Sequence, residues 1–435
     1  MRTTKVWAQL LGIDHAVIEG VTIDETEQLL IARVRPSRTR SGRCGVCSKR
    51  CPGYDQGSGK RRWRTLDLGS VRAVLEADSP RVRCPVHGVV VAGVPWARHG
   101  AGHTRAFDDT VAWLAVACSK TAVTQLMRIA WRTVGAIITR VIADLDATVD
   151  RLAGVSRIGI DEISYKRGHR YLTVVVDHDS RRLIWAAAGR DRATLETFFD
   201  ALGEQRCAQI THVTADAAAW IAAAVAARAP NAVLCADAFH VVAWATDALD
   251  EVRRQAWNDA RKVAAREAKL SATAPAAGAV PAPPERPGQA RAVALKGARY
   301  ALWKNPEDLT DTQLDKLAWI AKTDPKLHRA YLLKEGLRHV FAVKGTEGIE
   351  ALDRWLSWAR RCQIPSFVKL GKTIAKRRAS IEAALTHNMS NALVESTNTK
   401  IRVLTRVAFG FKSPQALIAL AMLSLGGYRP ALPGR

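Results

Sequence analysis

Residues 157–177 read RIGIDEISYKRGHRYLTVVVD, and this stretch decides the fold at the centre of the chain. Its two apolar runs, IGIDEISY and YLTVVVDHD, are separated by the turn-like KRGHR, and a third run, RLIWAAAG, follows shortly after. Short apolar runs bounded by turn residues indicate β-strands. The sequence therefore predicts three successive strands joined by hairpins, with one acid, Asp161, in the middle of the first.

The segment after these strands alternates between helical and strand-like periods. TLETFFDALGEQ and AAAWIAAAVAARA are typical of helices, and QITHVTAD and AVLCAD are typical of strands. Three hairpin-linked strands followed by helix, strand, helix and strand indicate an RNase H-like mixed five-stranded sheet, because a doubly wound parallel sheet would not begin with a meander. The predicted fold class is multidomain α+β.

Three carboxylates have distinct positions relative to this sheet. Asp161 lies inside a predicted strand, Asp216 closes another, and Glu395 lies in NALVESTNTKIRVLTR, a predicted helix. An acid inside an apolar strand is destabilising unless it is paired, and a metal ion is a natural partner. Two-metal phosphodiester sites use such oxygen ligands around ions ~3.5–4 Å apart. We therefore take the three acids as candidate catalytic residues and ligands of divalent metal.

Other interpretations of these acids stay open. Asp216 can act as the N-cap of the helix that follows it. Its rival is Asp237, which also ends a strand and has His240 three residues on, where the pair can contact phosphate, bind metal or serve only the structure. Glu162 is predicted to point to the opposite face of the strand from Asp161 and is a poorer partner.

The helix around Glu395 has an alternative of its own. Glu395 shares one helical face with three polar residues, Asn391, Asn398 and Arg402. Residues three and four apart are neighbours on a helix surface. An ion-paired, solvent-exposed helix would show the same spacing as a catalytic one.

The charge of the chain points to a polyanionic partner. In 435 residues, 65 Lys and Arg stand against 41 Asp and Glu, which gives a formal net charge of +24. Neutralising phosphates supplies most non-specific affinity for nucleic acids, although a generally basic protein is the alternative. We find no signal peptide and no apolar stretch of the ~18 residues that a membrane span needs. We expect a cytoplasmic, nucleoid-associated protein that binds DNA and no membrane.

Cysteines near the N-terminus predict a structural metal site. Cys44-x-x-Cys47 is followed by Cys84-x-x-His87, and two such pairs can close a tetrahedral zinc site. The protein fills every position, so the site is predicted to be structural. Cys51 is a spare thiol that can replace one ligand, and unrelated cysteines in a reducing compartment are the alternative. The predicted zinc ribbon is a candidate DNA-binding element.

Residues 107–149 are predicted to form three helices, because their apolar residues recur at three-to-four spacing. TAVTQLMRIA and WRTVGAIITRV are interpreted as a helix-turn-helix, with the second as recognition helix. Arg132, Thr133 and Arg140 would then be available to a major groove. An ordinary helical hairpin has the same pattern.

The domain boundaries follow from these changes in character. We predict an N-terminal region with the zinc ribbon over 1–105, a helix-turn-helix over 106–150 and the first part of the catalytic core over 151–240. An all-α insertion over 241–385 contains the Pro/Ala-rich stretch Ser271–Ala290, which is predicted to be a loop or linker. Residues 386–435 close the catalytic core.

At these motifs the chain resembles the bacterial insertion-sequence transposases of the DDE class, specifically the ISL-three group, over nearly its whole length. CGVC with RVRCPVHG resembles that group's zinc ribbon, although the last ligand pair is often two Cys. The group's first catalytic strand and its hairpin are resembled by GIDEISYKRGHRYLTVVVD. The segment that carries the second acid and the Asp-x-x-His signature is resembled by VTADAAAWIAAAVAARAPNAVLCADAFHVV. LWKNPEDLT resembles part of the insertion domain. The closing segment, in which a Glu supplies the third ligand, is resembled by SNALVESTNTKIRVLTRVAFGFK.

The resemblance implies roles for particular residues. It makes Asp161, Asp216 and Glu395 the catalytic acids, with Mg²⁺ or Mn²⁺ as the ions and structural Zn²⁺ in the ribbon. Such an enzyme would bind the terminal inverted repeats of its element, cut the ends and join a 3′-hydroxyl to target DNA. The Pro/Ala-rich stretch departs from the group's pattern but lies inside the insertion.

Further residues and partners follow as hypotheses. Asn398 is expected to orient Glu395 or a DNA strand, and three basic residues are expected to hold phosphates: Lys400, Arg402 and Arg406. Because two ends must be handled together, a homodimer or larger synaptic assembly is expected. The alternatives are a non-catalytic DNA-binding regulator derived from a transposase, and a structure-specific nuclease that cuts without joining.

Overall fold

In a computed structural model of the chain, residues 3–216, 218–273 and 287–433 are described. The N-terminal part is formed by a short helix and seven strands: α1 (Thr3–Leu10), β1 (Ala16–Asp24), β2 (Leu29–Pro36), β3 (Gly53–Asp55), β4 (Lys60–Leu68), β5 (Val71–Asp78), β6 (Arg81–Cys84) and β7 (Gly88–Val91). They form two sheets, with strand orders β1-β2-β5-β4 and β3-β6-β7. The predicted β-rich module is thus present, but as two sheets. Pairing of β2 with β5 is parallel and brings together strands that the intervening metal-binding segment separates in sequence.

Three helices follow: α2 (Arg105–Ala117), α3 (Lys120–Met127) and α4 (Trp131–Asp146). Residues next to the helix ends determine where these helices begin and end. Thr104 and Ser119 accept hydrogen bonds at the N-termini of α2 and α3 from the backbone N–H groups of Phe107 and Ala122. Arg128 ends α3 in the left-handed conformation, so that only a short turn separates α3 from α4. The prediction of three helices is confirmed.

The centre of the chain is a mixed five-stranded sheet, as predicted. Its elements are β8 (Arg157–Lys166), β9 (Arg170–Asp177), β10 (Arg182–Ala188), α5 (Arg192–Leu202), α6 (Glu204–Cys207), β11 (His212–Ala215), α7 (Ala219–Arg228) and β12 (Val233–Ala236). The strand order is β10-β9-β8-β11-β12. The first three strands pair antiparallel, whereas β8, β11 and β12 pair in parallel. The parallel strands therefore end at the same edge of the sheet, where Asp216 and Asp237 follow directly.

The elements after β12 are helices: α8 (Ala238–Thr273), α9 (Pro287–Gly297), α10 (Arg299–Trp303), α11 (Asp311–Thr323), α12 (Pro325–Val343), α13 (Gly345–Arg361), α14 (Pro365–Lys376), α15 (Arg378–His387), α16 (Ala392–Val407) and α17 (Pro414–Leu425), with one 3₁₀ turn at Pro306–Asp308. Helices α8 to α15 share one apolar core. Most of the predicted loop Ser271–Ala290 lies outside the described residues. Its two described ends are helical, because α8 continues to Thr273 and α9 begins at Pro287.

Helices cover both faces of the central sheet. On one face, Ile160 belongs to a core that includes Phe198 of α5. On the other face, Ile163 belongs to a core that includes Val394 of α16 and residues of α4 and α17. Alternate residues of β8 thus face different helices, because successive side chains of a strand point to opposite faces. None of the helices in the described residues combines the length and the apolarity that a membrane span requires.

Candidate active site and DNA-binding elements

The predicted zinc ligands lie together between the strands of the small sheet. One ligand atom from each of Cys44, Cys47, Cys84 and His87 lies within 4.8 Å of all the others. The Sγ atoms of Cys47 and Cys84 are 3.7 Å apart, and Cys84 Sγ is 3.5 Å from His87 Nδ1. A tetrahedron with Zn–S bonds of ~2.3 Å has edges close to these lengths. The four residues therefore fit one structural zinc ion.

Local hydrogen bonds stabilise the thiolate form of Cys84. The backbone N–H of Val86, together with the backbone and side chain of His87, lowers the pKa of Cys84 to about 6, against the opposing effect of burial. Cys51 lies outside the four-residue set, and its Sγ donates to the backbone carbonyl of Lys49 at 3.3 Å. Cys51 is thus a buried neighbour of the four ligands.

Removal of one ligand is expected to release the metal. Cys84→Ser should lower the zinc content of the purified protein from about one ion per chain to near zero and should unfold the small sheet, since structural zinc contributes directly to folding. Atomic absorption and thermal unfolding measure the two effects. Cys51→Ser is the matched control and should retain zinc. Equal zinc loss in both variants would contradict this ligand set.

The helix-turn-helix exposes part of its second helix. Arg132 is exposed and Thr133 half-buried in the first turn of α4, as a contact with DNA requires. Arg140 lies two turns further on, and its Nε and Nη2 atoms donate to Asp108 at 2.9 and 3.0 Å. Asp108 is fully buried on α2. The interpretation of Arg140 as a DNA contact is therefore corrected: its guanidinium compensates a buried carboxylate and is not available to a groove.

Two arginines of α4 are thus expected to respond differently to substitution. Arg140→Ala should destabilise the protein by about 3 kcal/mol, because it leaves the buried carboxylate of Asp108 short of its main partner. Arg132→Ala should leave stability unchanged and weaken DNA binding. Thermal unfolding and fluorescence anisotropy with labelled DNA separate the two effects. Unchanged stability of Arg140→Ala would contradict the structural role.

Asp161 is held by two hydrogen bonds on β8. Its Oδ1 accepts from the backbone N–H of Glu162 and its Oδ2 from Asn398 Nδ2, both at 2.8 Å. Burial raises the pKa of Asp161, and the charges of Asp237 and Asp216 raise it further. The carboxylate is therefore oriented and poorly solvated, and it lies within the field of other acids.

Asp216 and Asp237 differ in how their oxygens are used. The side chain of Asp237 is 3% exposed; its Oδ1 accepts from the backbone N–H of Phe239 at 3.2 Å, and its Oδ2 lies 2.6 Å from His240 Nδ1. Asp216 is 25% exposed, and its Oδ2 lies 4.0 Å from His240 Nε2. Asp237 is thus engaged as a helix cap and as the partner of His240, whereas Asp216 keeps an accessible carboxylate.

Positive charge next to these acids comes from His240. The hydrogen bond to Asp237 and, to a smaller extent, the charge of Asp216 raise the pKa of His240 to about 9, against the opposing effect of burial. The imidazole is therefore protonated at neutral pH and directs one N–H to Asp237 and the other towards Asp216. Without a metal ion, His240 partly compensates this acidic cluster.

Two glutamates complete the cluster. Burial raises the pKa of Glu395, and Asp237 and Asp161 raise it further. Burial also raises the pKa of Glu162 to about 7, with contributions from Asp161 and Asp216. Glu162 points to the other face of β8, as predicted, yet Arg190 Nε, at 3.7 Å from its Oε1, is its one ion-pair partner among the described residues. The coupling of Glu162 to the cluster was not predicted.

The donor set fits a hard divalent cation. Carboxylate oxygens are the ligands that Mg²⁺ and Mn²⁺ prefer. Burial is the main cause of the raised pKa values of Asp161 and Glu395, neighbouring acids add to it, and a bound cation would compensate both effects. Within the part of the chain that the structure describes, only the zinc ligands form a set of three or more with all ligand atoms within 4.8 Å. The acids are more widely spaced than this limit.

Helix α16 presents two different faces. Asn391 and Asn398 are buried, at 0% and 2% exposure, so the alternative of an ion-paired surface face is wrong. Asn398 donates to Asp161 and not to Glu395. The three basic residues predicted to hold phosphates are all exposed: Lys400, Arg402 and Arg406. Among the described residues none of these three has an ion-pair partner.

Gly159 permits the close approach of α16 to the sheet and is a functional position that was not predicted from the sequence. A Cβ atom at this position would lie 2.4 Å from Val394 Cγ2 and 3.0 Å from Thr214 Oγ1. Glycine in a strand often marks such an approach. The signal in the sequence was present, since Gly159 interrupts an otherwise apolar run two residues before Asp161.

Comparison with known proteins agrees with this arrangement. A family model described as "Transposase" matches residues 158–421, and one described as "Helix-turn-helix domain of transposase family ISL3" matches residues 94–142. Residues 40–87 match "zinc-finger of transposase IS204/IS1001/IS1096/IS1165". The matched ranges contain the five-stranded sheet with α16, the helices α2 to α4 and the zinc ligands, respectively.

Relatives match over most of the chain. The transposase for insertion sequence element IS1557 from two strains of Mycobacterium tuberculosis is 64% identical over 440 residues, covering 100% of this chain and 98% of the relative. The transposase for insertion sequence element IS1001 from Bordetella parapertussis is 25% identical over 377 residues, 86% of each chain. The chain belongs to the ISL3 family of insertion-sequence transposases, with a zinc ribbon, a helix-turn-helix and a DDE transposase domain.

Proposed function

We propose that this transposase binds the terminal inverted repeats of its insertion sequence, cleaves the ends and joins the liberated 3′-hydroxyl to target DNA. The observation that carries the proposal is the central place of Asp161 on β8: the charge of Asp216, at the end of β11, acts on Asp161, and the charge of Asp161 acts on Glu395 of α16. Acids gathered from distant parts of the chain at the end of a mixed sheet are suited to phosphoryl transfer of the RNase H-like kind.

Asp161, Asp216 and Glu395 would hold Mg²⁺ or Mn²⁺ through carboxylate oxygens. Bound there, the ions would supply Lewis-acid activation of the attacking oxygen and stabilisation of the leaving 3′-oxygen. Asn398 orients Asp161 through its hydrogen bond. His240, protonated and directed towards Asp216, would offer an N–H to a phosphate oxygen in place of the carboxylate.

Asp216 is preferred to Asp237 as the second acid. Both oxygens of Asp237 already have partners within the protein, in Phe239 and His240. Asp216 follows β11, the strand directly beside β8, and is more exposed. A metal ligand needs an accessible carboxylate oxygen, and Asp216 is the more exposed of the two acids. Asp237 is then the residue that holds His240 in place.

DNA would contact three basic surfaces. Arg132 is exposed and Thr133 half-buried on the second helix of the helix-turn-helix, and α16 carries the exposed residues Lys400, Arg402 and Arg406. A cleft of about 420 Å³ lies beside the zinc ribbon, and no Asp or Glu is among the described residues that line it. Its basic lining residues are His15, Arg40, Arg43, Arg61, Arg98, His99 and Arg105. Lys and Arg contacts of this kind supply sequence-independent affinity.

A cleavage and joining assay tests the proposal. The full-length protein is incubated with labelled DNA carrying the element's ends, supercoiled target plasmid and Mg²⁺. We expect cleavage that exposes a 3′-hydroxyl, followed by a strand-transfer product, with both lost in EDTA. Binding without Mg²⁺-dependent cleavage would indicate a DNA-binding regulator instead. Cleavage without joining would indicate a nuclease.

The reaction also sets a requirement on assembly. Two ends must be cut and joined in one event, so we propose that a homodimer or larger synaptic complex is the active form. Light scattering of the protein with and without paired end DNA measures this directly. A monomer on each DNA end under conditions that support joining would contradict the proposal.

A further inference from the structure

Asn391, the residue that precedes α16, is completely buried. Its side chain makes no helix-capping hydrogen bond. Instead, Nδ2 donates to the backbone carbonyl of Ile160 at 3.3 Å, and Oδ1 accepts from Thr214 Oγ1 at 2.8 Å. A buried amide is destabilising unless its donors and acceptors are satisfied. These two bonds therefore determine how Asn391 is oriented between β8 and β11.

The network continues to a third side chain. Thr214 has one hydroxyl proton, which it gives to Asn391, so it accepts from His178 Nε2 at 2.8 Å. Burial lowers the pKa of His178, and the neutral imidazole carries its proton on Nε2. Hydrogen bonds thus run from His178 to Thr214, to Asn391 and to the carbonyl of Ile160, with each donor matched to an acceptor.

Each of the three elements that carry a candidate acid is tied to Asn391. Ile160 is the residue before Asp161 on β8. Thr214 is two residues before Asp216 on β11. The backbone carbonyl of Asn391 accepts from the backbone N–H of Glu395 at 3.0 Å. One buried side chain, together with its own backbone, therefore links the positions of all three acids.

Strands β8 and β11 and helix α16 are in direct contact next to the hydrogen bonds of Asn391. Gly159 pairs with Thr214 in the parallel register of β8 and β11. Because Gly159 has no Cβ, Val394 of α16 comes against the same point. Tight packing leaves little freedom for α16 to slide, and the hydrogen bonds of Asn391 select one position among those that packing alone would tolerate. Apolar side chains cannot make that selection, since their contacts are not directional.

We propose that Asn391, supported by Thr214 and His178, is a positioning residue that sets the spacing of Asp161, Asp216 and Glu395 and thereby the affinity of the site for divalent cations. The inference rests on the proposed function of these acids as metal ligands. Asn391 is fully buried and reaches neither substrate nor ion. Residues that orient metal ligands from behind alter metal affinity or activity by about 10–100-fold when replaced.

A purely structural role predicts a different outcome and can be separated from this one. Thr214→Val removes the hydroxyl that holds Asn391 Oδ1 and keeps the shape of the side chain. The matched control is Thr173→Val on β9 of the same sheet: Thr173 is also fully buried, and its Oγ1 donates to the carbonyl of Gly189 at 3.0 Å. Thr173 pairs with Glu162 of β8 and therefore lies on the face of the sheet opposite to Asp161. Both variants lose one buried hydroxyl from the sheet.

The experiment measures Mn²⁺ binding to the full-length, zinc-loaded protein without DNA, by electron paramagnetic resonance, together with thermal unfolding. We expect Thr214→Val to weaken Mn²⁺ binding about 10–100-fold and Thr173→Val to bind Mn²⁺ like the wild type, with similar losses of melting temperature. Thr214→Ser, which restores the hydroxyl, should recover the affinity. Wild-type Mn²⁺ affinity in Thr214→Val would overturn the inference.

Asp161→Asn separates failure of this inference from failure of the proposed function. If the wild type binds no more Mn²⁺ than Asp161→Asn, the acids are not a metal site, and both proposals fall. If Asp161→Asn loses Mn²⁺ but Thr214→Val does not, only the positioning role of the Asn391 network falls. Weaker Mn²⁺ binding in both Asp161→Asn and Thr214→Val, with Thr173→Val unaffected, supports both the metal site and the positioning role of Asn391.

Discussion

Replacement of any one of the three acids by its amide, as in Asp161→Asn, Asp216→Asn or Glu395→Gln, is expected to reduce cleavage of end DNA at least about 1,000-fold, or about 4 kcal/mol in the barrier. Each change removes a charged ligand while preserving shape. DNA binding should persist, because the exposed basic residues are untouched. Gel assays of labelled end DNA measure cleavage, and anisotropy measures binding.

Stability provides an independent signature of the same substitutions. The pKa of Glu395 in the folded protein is raised by burial and by Asp237 and Asp161, so its charged form costs stability at pH values above its normal pKa. Glu395→Gln should therefore raise the melting temperature in metal-free buffer while cleavage is lost. A lower melting temperature would show that Glu395 serves the fold and would contradict a site held under repulsion for function.

The choice between Asp216 and Asp237 is tested in the same series. Asp237→Asn can still accept from the N–H of Phe239, and it affects the reaction through His240. A loss of about 10–100-fold is expected for such a supporting residue, clearly smaller than for Asp216→Asn. An inactive Asp237→Asn beside an active Asp216→Asn would reverse the assignment.

Gly159→Ala is expected to have the second largest effect. Its Cβ would lie 2.4 Å from Val394 Cγ2, closer than packed carbon atoms allow, so α16 must move away from β8. Overpacking of this kind costs about 1–3 kcal/mol. Displacement of Glu395 by about 1 Å lowers the cleavage rate by about 100-fold. Thermal unfolding and the cleavage assay measure the two effects.

A second substitution tests whether the clash with Val394 causes the loss of activity in Gly159→Ala. Val394→Ala removes the atoms that the new methyl group would meet, so Gly159→Ala/Val394→Ala should recover most of the lost activity, a coupling that a double-mutant cycle quantifies. Gly20→Ala on β1 is the control, because nothing lies within 4 Å of a Cβ atom there. Simple additivity of the two changes would argue against the close approach as the reason.

Much of the fold could be predicted because its signals are local. The alternation of apolar residues and turns predicted β8 to β12 and the intervening helices, and the spacing of Cys44, Cys47, Cys84 and His87 predicted the zinc site. Strand periods, helix periods and paired ligands depend on residues close in sequence. The positions of Asp161 and Asp216 on strands followed from the same patterns.

The errors came from partners that are distant in sequence. Arg140 has the position of a DNA contact on α4, but Asp108, 32 residues earlier, engages it. Asn398 has the spacing of a residue that serves Glu395, but Asp161, 237 residues away, receives its hydrogen bond. A polar residue on a helix can face water, DNA or a buried acid, and helical periodicity is the same in all three cases.

The sequence by itself determined the succession of strands and helices in the central sheet and the choice of candidate zinc ligands and candidate acids, since each depends on local pattern or on residue chemistry. Only the tertiary structure decided which of the described polar groups are engaged by other parts of the chain. It showed that Asp237 is engaged by Phe239 and His240, and that Asn391 joins β8, β11 and α16. Burial and hydrogen-bond direction depend on all surrounding elements at once, and no spacing along one segment contains that information.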